Sequence, residues 1–378
     1  MGQPHCFLPW FDERPLMERT PQEPSLLIAL EAGLAATFRR RIRDRLKSFG
    51  VEATLVEGQG RNYLEVHGDV EPLRTLALDS WKGVEKALFL GTAHRHVHRN
   101  AHGNDSTVQV GNITVGGGDF AIIAGPCAVE EEERTLRLAA SVASSGAQLF
   151  RGGAYKPRTS PYAFQGMGEK GLKILERARE ETGLGIVTEI LDPRDVEKVS
   201  ESADLLQVGS RNMHNYSLLK ELGQIRAPIL LKRGFSSTSE ELMLAAEYIL
   251  SGGNTNVILC ERGIRCAAAS RQVVLDLGVV PELKKKTHLP VVVDPSHGSA
   301  EAYRVPALAK AAVAAGADGL LVEVHDQPEE ALSDGRQALS PEEFKNLVPV
   351  LSGLHESLRS LESRSGGAVA STRGMEEV

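Results

Sequence analysis

Short apolar runs recur through the middle of the chain at 121–125, 148–151, 185–190, 205–209, 229–232, 257–260, 291–294 and 319–324. Stretches with helical spacing lie between them, among them 130–145, 169–181, 239–250 and 302–315. Eight strands alternating with helices predict a (β/α)8 TIM barrel, and the roughly 250 residues from Gly111 to Arg364 suit that fold. A closing helix is expected over 341–361, and 107–115 reads as a small hairpin turned at Gly111-Asn112. Upstream, the pattern is strand 26–31, helix 35–49, strands 51–57 and 62–67, helix 70–80 and strand 84–90. That βαββαβ order is ferredoxin-like.

The expected organisation is therefore a proline-rich N-terminal arm (1–24), a ferredoxin-like unit (25–92), a linker (93–106), the barrel (107–364) and a disordered tail (365–378). Arg39, Arg40, Arg41, Arg43 and Arg45 of the small unit read as a solvated face. Nothing in that unit is placed like a nucleophile or a ligand, so a binding or regulatory role is expected of it. His94, His96 and His98 alternate through the linker and His102 follows, but the segment lacks an obvious carboxylate partner nearby except Asp105 and reads as an exposed connector rather than a metal site.

Composition narrows the function. A net charge of −7 over 378 residues argues against bulk electrostatic attraction to nucleic acid or to a membrane surface, so any anion must be bound by locally gathered cations. The 4 cysteines (Cys6, Cys127, Cys260 and Cys266) are too scattered for a disulfide framework and suit a reducing compartment. The N-terminus lacks the apolar core of a signal peptide, no apolar run is long enough to span a membrane, and a cytoplasmic location is expected. Cys260 and Cys266 read as packing residues.

Barrel active sites lie at the C-terminal ends of the strands. Here those ends carry Pro126-Cys127, the segment from Arg151 to Ser160, Thr188-Glu189, Ser210-Arg211-Asn212, Lys232-Arg233-Gly234, Glu261-Arg262-Gly263, Asp294-Pro295-Ser296-His297 and Glu323-Val324-His325, followed by Ser333-Asp334-Gly335. In the 151–160 segment, Gly152 and Gly153 let the backbone approach a ligand and Pro157 stiffens the turn between Lys156 and Arg158. Arg151, Lys156, Arg158, Arg211, Lys232 and Arg262 form a set of cations suited to two phosphorylated substrates, one of them also a carboxylate. Cys127, His297, Glu323 and Asp334 make a mixed donor set compatible with Zn, Fe or Mn. At the level of residues alone, Cys127 as a small buried hydrophobe and His297 as a metal-free general base stay open.

At these motifs the sequence resembles the 3-deoxy-D-arabino-heptulosonate 7-phosphate (DAHP) synthases, specifically the short bacterial type I-beta with an N-terminal ferredoxin-like regulatory extension. The resemblance runs from about Ser25 to Leu361 and rests on Gly125-Pro126-Cys127, Arg151 to Ser160, Lys232-Arg233-Gly234, Cys260 to Gly263, Asp294 to His297, Val322 to His325 and Ser333 to Gly335. It implies a divalent metal ion (Mn, Fe, Co or Zn) on Cys127, His297, Glu323 and Asp334. It also implies phosphoenolpyruvate on Arg151, Lys156, Arg211, Lys232 and Arg262, and erythrose 4-phosphate on Arg158 and Thr159, with Ser210 and Asp334 also facing substrate. Lys156, Cys127 and His297 are the implied catalytic residues. The implied reaction is the first step of the shikimate pathway to aromatic amino acids. Ala128, Ser210 and Gly298-Ser299-Ala300 depart from the family's pattern without removing any of these groups.

A sibling synthase, making 3-deoxy-D-manno-octulosonate 8-phosphate from arabinose 5-phosphate, is the nearest alternative; Lys156-Pro157-Arg158-Thr159 favours the four-carbon aldose. A Schiff-base aldolase on Lys156 or Lys232 leaves Cys127 unexplained, and a purely sensing role leaves the barrel's ligands unexplained. The resemblance further implies an aromatic amino acid effector on the N-terminal unit, a homotetramer, and a hinge in the histidine-rich linker.

Overall fold

The alternation of inward and outward side chains along eight short parallel strands sets the architecture. A computed structural model describes residues 25–372, apart from 32, 58–61, 75, 90–95, 100, 101, 103 and 267–272. The expected arm, with Trp10 and Phe11, and His94 lie outside the described residues, as do Cys6 and 373–378.

The strands β1 (Leu26–Leu30), β2 (Glu52–Glu57), β3 (Asn62–His67) and β4 (Val84–Phe89) form an antiparallel sheet in the order β2-β3-β1-β4. Helix α1 (Ala36–Lys47) buries Ile42 and Leu46, and these join Leu26, Ile28, Leu30, Leu64 and Val66 in a core of their own. The single helix expected over 70–80 is instead one turn, α2 (Glu71–Arg74), followed by a 3₁₀ turn at Leu78–Ser80. Leu73 and Leu78 are both buried, and two short turns reach the core where one straight helix would carry residues 76–78 past it.

The hairpin strands β5 (Val108–Val110) and β6 (Ile113–Val115) turn at Gly111, whose φ is 55°. The barrel strands are β7 (Ala121–Gly125), β8 (Leu149–Arg151), β9 (Gly185–Ile190), β10 (Leu205–Val208), β11 (Ile229–Lys232), β12 (Val257–Glu261), β13 (Val291–Val293) and β14 (Gly319–Glu323), all parallel and closed in a ring. Between them run α3 (Glu132–Ser144), α4 (Glu169–Thr182), α5 (Val196–Ser202), α6 (Tyr216–Gly223), α7 (Ser239–Ser251), α8 (Val279–Lys286), α9 (Pro295–Ser299) and α10 (Val305–Ala314). The closing helix α11 starts at Pro341 and continues to Thr372, so 365–372 is helical rather than the disordered tail expected. Propagating an existing helix is far easier than nucleating one, even through Gly366-Gly367.

Parity along the strands separates two apolar layers. Ile122, Phe150, Ile186, Leu206, Leu231, Leu259, Val293 and Val322 face the surrounding helices. Ala121, Ile123, Leu149, Val187, Leu205, Leu230, Ile258, Cys260, Val292 and Leu321 face the axis, where Val108, Val110 and Val115 of the hairpin join them. On seven of the eight strands the inward position two residues further along is polar or charged: Arg151, Glu189, Gln207, Lys232, Arg262, Asp294 and Glu323; on β7 it is Gly125. The apolar core thus ends at one level, and a polar layer sits on top of it.

The segment expected as an exposed linker and hinge is fastened down where it is described. His96 Nδ1 lies 2.8 Å from Glu247 Oε1, whose carboxylate also accepts from the His96 and Val97 amides. Val97 is fully buried, Thr287 Oγ1 donates to its carbonyl, and the His102 ring stacks on His288 at 4.7 Å. His96 and His102 thus each make local contacts with neighbouring side chains. The residues to Ala93 and those beginning at His94 belong to two separate compact units. Cys260 packs in the inner layer, whereas Cys266 is exposed rather than a packing residue of the core. Among the described residues no helix is long and apolar enough to cross a membrane.

Gly125 ends β7 with φ 146°, and a Cβ there would run into the Arg151 carbonyl oxygen. Gly125→Ala should therefore destabilise the protein by about 2–3 kcal/mol, read as a lowered midpoint in chemical denaturation, since relief requires moving one of two neighbouring barrel strands. An unchanged midpoint would show that the turn has room.

Candidate active site

Asp294 directly follows β13 and is fully buried at the centre of the polar layer. Its Oδ1 accepts from the His297 amide at 2.9 Å and caps α9, while Oδ2 accepts from His297 Nδ1 at 2.7 Å and from Lys232 Nζ at 2.5 Å. Burial alone would raise this carboxyl's pKa, but His297 and Lys232 outweigh it and hold the group well below the ordinary range. Because Nδ1 is committed to Asp294, the other ring nitrogen of His297 faces forward, 3.3 Å from Glu323 Oε1 and 3.7 Å from Asp334 Oδ2.

Glu323, at the end of β14, is fully buried; Arg151 donates to its Oε1 at 2.5 Å and Gln337 Nε2 to its Oε2 at 2.5 Å. Asp334 sits in the left-handed region at φ 56°, on the loop after β14, where its Oδ2 accepts from Cys127 Sγ at 3.0 Å. The neighbouring His297 ring, when charged, is the chief reason its carboxyl is held far below the usual range. One ligand atom from each of Cys127, His297, Glu323 and Asp334 lies within 4.8 Å of all the others. One sulfur, one imidazole nitrogen and two carboxylate oxygens converging in this way fit a divalent ion such as Zn, Fe, Mn or Co. Without an ion, burial opposes a charge on the His297 ring, but Asp294 and Glu323 outweigh it and raise its pKa to about 10.

Beside this cluster opens a cavity of about 450 Å³, lined by Arg151, Lys156, Arg158, Thr159, Ser210, Arg211, Lys232, Arg262, His297 and Asp334. All the predicted substrate residues therefore share one space, and Cys127 and Glu323 join it through the cluster. Lys156 Nζ donates to the Cys127 carbonyl at 3.1 Å and lies 3.5 Å from Glu189; burial opposes its charge, but Cys127 and Glu189 outweigh that, so its pKa is raised. Arg158 donates to Ser333 Oγ at 2.6 Å. Among the described residues no carboxylate forms an ion pair with Arg158, Arg211 or Arg262, so the cavity keeps cationic capacity for anionic ligands.

Two strand-end residues turn out to be structural. Arg233 has outward parity and is tied to Ser237, Glu261 and Asp276. His325 is buried away from the cavity, 3.5 Å from Glu130, and its Nδ1 accepts from the Gln327 amide. In the other direction, Gln207, Phe235, Arg265 and Gln337 line the cavity without having been singled out from the sequence. Gln207 was legible from strand parity; Phe235, Arg265 and Gln337 sit on loops whose path no local pattern gives. Of the departing residues, Ala128 is buried beside Gly153, while Ser210 and Ala300 line the cavity.

Fold and site define a (β/α)8-barrel enzyme that binds anionic substrates beside a candidate metal cluster. The sequence pattern of the DAHP synthetase I family matches residues 97–360, and the chain belongs to that family. It is 42% identical over 333 residues to the phospho-2-dehydro-3-deoxyheptonate aldolase of Thermotoga maritima, covering 88% of this chain and 98% of the relative. A crystal structure of a Thermotoga maritima phospho-2-dehydro-3-deoxyheptonate aldolase (DAHP synthase) superposes with a TM-score of 0.80 at 41% identity, over 88% of this chain and 98% of that one. A 2-dehydro-3-deoxyphosphooctonate aldolase of Syntrophobacter fumaroxidans is 31% identical, covering 65% of this chain and 91% of its own.

The proton on His297 carries a testable consequence in metal-free protein. Its pKa is about 10 folded, against about 6.5 unfolded, so folding is favoured by the extra proton affinity. That contribution is complete below about pH 6.5 and is lost as pH climbs through about 10. In chelator-treated protein the thermal midpoint should fall across this window, and His297→Ala should flatten the fall. Equal slopes in the two proteins would contradict the assignment.

Proposed function

We propose that the chain condenses phosphoenolpyruvate with erythrose 4-phosphate and water to give DAHP and inorganic phosphate, the first step of the shikimate pathway to aromatic amino acids. The observation that carries this reading is the joining, in one barrel mouth, of the four-residue donor cluster to a cavity with unneutralised arginines. The greater identity and coverage with the heptonate enzyme than with the octonate one supports the four-carbon aldose.

Cys127, His297, Glu323 and Asp334 would hold the divalent ion, which when bound acts as a Lewis acid on the aldehyde oxygen. Arg151, Lys156, Arg211, Lys232 and Arg262 hold phosphoenolpyruvate, with Ser210 beside them, while Arg158 and Thr159 hold the phosphate of the aldose. C3 of phosphoenolpyruvate bonds to the aldehyde carbon, and the Lys156 ammonium protonates the oxygen that becomes the new hydroxyl. Water then adds at C2, and the bond from C2 to the bridging oxygen breaks, so phosphate leaves with that oxygen and C2 becomes the ketone. One proton of the water restores Lys156 and the other leaves with phosphate.

Among its described residues the small βαββαβ unit gathers no catalytic constellation, and we read it as a module for an aromatic amino acid effector. With it go a homotetrameric assembly and a cytoplasmic location. The net charge supports neither nucleic acid nor membrane as a partner.

Phosphate release from phosphoenolpyruvate, measured with each aldose, tests the function. Erythrose 4-phosphate should exceed arabinose 5-phosphate in kcat/KM by at least about a hundredfold, and Arg158→Ala should raise the aldose KM by about tenfold or more with little change for phosphoenolpyruvate. Comparable efficiencies for the two aldoses would make this the octulosonate enzyme. Repeating the assay with tyrosine, phenylalanine and tryptophan tests the effector, and indifference to all three at millimolar levels would remove that role.

A further inference from the structure

Phe235 lies on the loop after β11 and lines the cavity, and three guanidinium groups surround its ring. Arg265 is 4.7 Å from the ring centroid, Arg262 4.8 Å and Arg211 5.3 Å. All are within the reach of a cation–π contact. The loops are also joined by their backbones: the Arg265 amide donates to the Phe235 carbonyl at 2.7 Å. Three like charges repel one another, and a carboxylate would gather them only by neutralising them. An aromatic ring attracts all three while leaving their charge and most of their donors available.

Among the described residues none of the three forms an ion pair with a carboxylate. Arg262 is 6% exposed, and its one hydrogen bond to the described protein is to the Gly263 carbonyl at 3.3 Å. A buried guanidinium with so little satisfied is built to receive an anion. The three arginines follow β10 and β12, and Phe235 follows β11 between them. The metal-type donors come instead from β7, β13, β14 and the loop after β14. The grip therefore lies across the mouth from the donor cluster, and Arg158, hydrogen-bonded to Ser333 next to Asp334, lies on the cluster's side.

We propose that Phe235 is the positioning residue of a three-arginine phosphate grip, and that Arg265 is a further binding residue in it for the phosphate of phosphoenolpyruvate. This rests on the functional reading above, which places the aldehyde at the donor cluster and so leaves the far phosphate to phosphoenolpyruvate. The same grip holds inorganic phosphate once it is released.

The test compares full-length wild type with Arg265→Gln, Phe235→Leu and Phe235→Tyr. Arg265 is exposed, so its replacement leaves the fold intact; Tyr retains the ring and controls for packing at position 235. Arg265→Gln should raise the KM for phosphoenolpyruvate roughly tenfold, and Phe235→Leu about fivefold. The KM for erythrose 4-phosphate should stay within about twofold in both, and Phe235→Tyr, which keeps the ring, should recover most of the phosphoenolpyruvate affinity that Phe235→Leu loses. Calorimetric binding of phosphoenolpyruvate and of inorganic phosphate without aldose should weaken in the same order. An unchanged KM and affinity in Arg265→Gln, or equal increases for both substrates, would overturn the proposal. A wild type that binds phosphoenolpyruvate but turns over neither aldose contradicts the functional reading alone, and the calorimetric series still decides the grip.

Discussion

The barrel mouth depends on one buried carboxylate. Asp294 takes a hydrogen bond from Lys232 on the cation side and another from His297 on the donor-cluster side, and it caps the helix that carries His297. A lone buried charge would cost several kcal/mol, and each partner alone would leave part of the carboxylate unsatisfied. Together they fix the imidazole's orientation and place a lysine ammonium over the cavity floor. Losing either partner strands a buried charge, so the two halves of the site are coupled through a single side chain.

The same logic repeats one strand over. Glu323 binds Arg151 through one oxygen and Gln337 through the other, while its first oxygen also faces His297. Carboxylates at the centre are thus neutralised by neighbouring cations, and among the described residues no carboxylate pairs with Arg158, Arg211, Arg262 or Arg265. That difference gives the mouth its chemical polarity: a compact acidic and sulfur-bearing cluster on one side, and spare positive charge on the other. Electrostatic preorganisation of this kind needs no rearrangement when charge develops on a bound substrate.

Much of this was legible in the sequence. The eight apolar runs marked the barrel strands to within a residue at their ends, because a strand buried on both faces is written as a continuous apolar run. The charged residues following those runs marked the site, and the family motifs carry Cys127, His297, Glu323 and Asp334, which the fold brings together. Strand parity also separates Lys232, which faces the cavity, from Arg233, which is tied to Glu261 behind the ring. Other features rest on contacts between distant segments. Phe235 with Arg265, Gln337 with Glu323, and the docking of Val97 beneath Thr287 join parts of the chain whose local patterns carry no sign of one another. The break in the 70–80 helix is of this kind too, since it is set by where Leu73 and Leu78 reach their core.

The central claim is that Cys127, His297, Glu323 and Asp334 act together as a divalent-metal centre on which turnover depends. Metal content by elemental analysis, paired with phosphate release before and after exhaustive chelation, tests it most directly. One ion per chain should be found, activity should vanish with its removal and return with Mn(II), and Cys127→Ser and His297→Ala should each lose both by orders of magnitude. Full activity in protein stripped of metal would contradict the account.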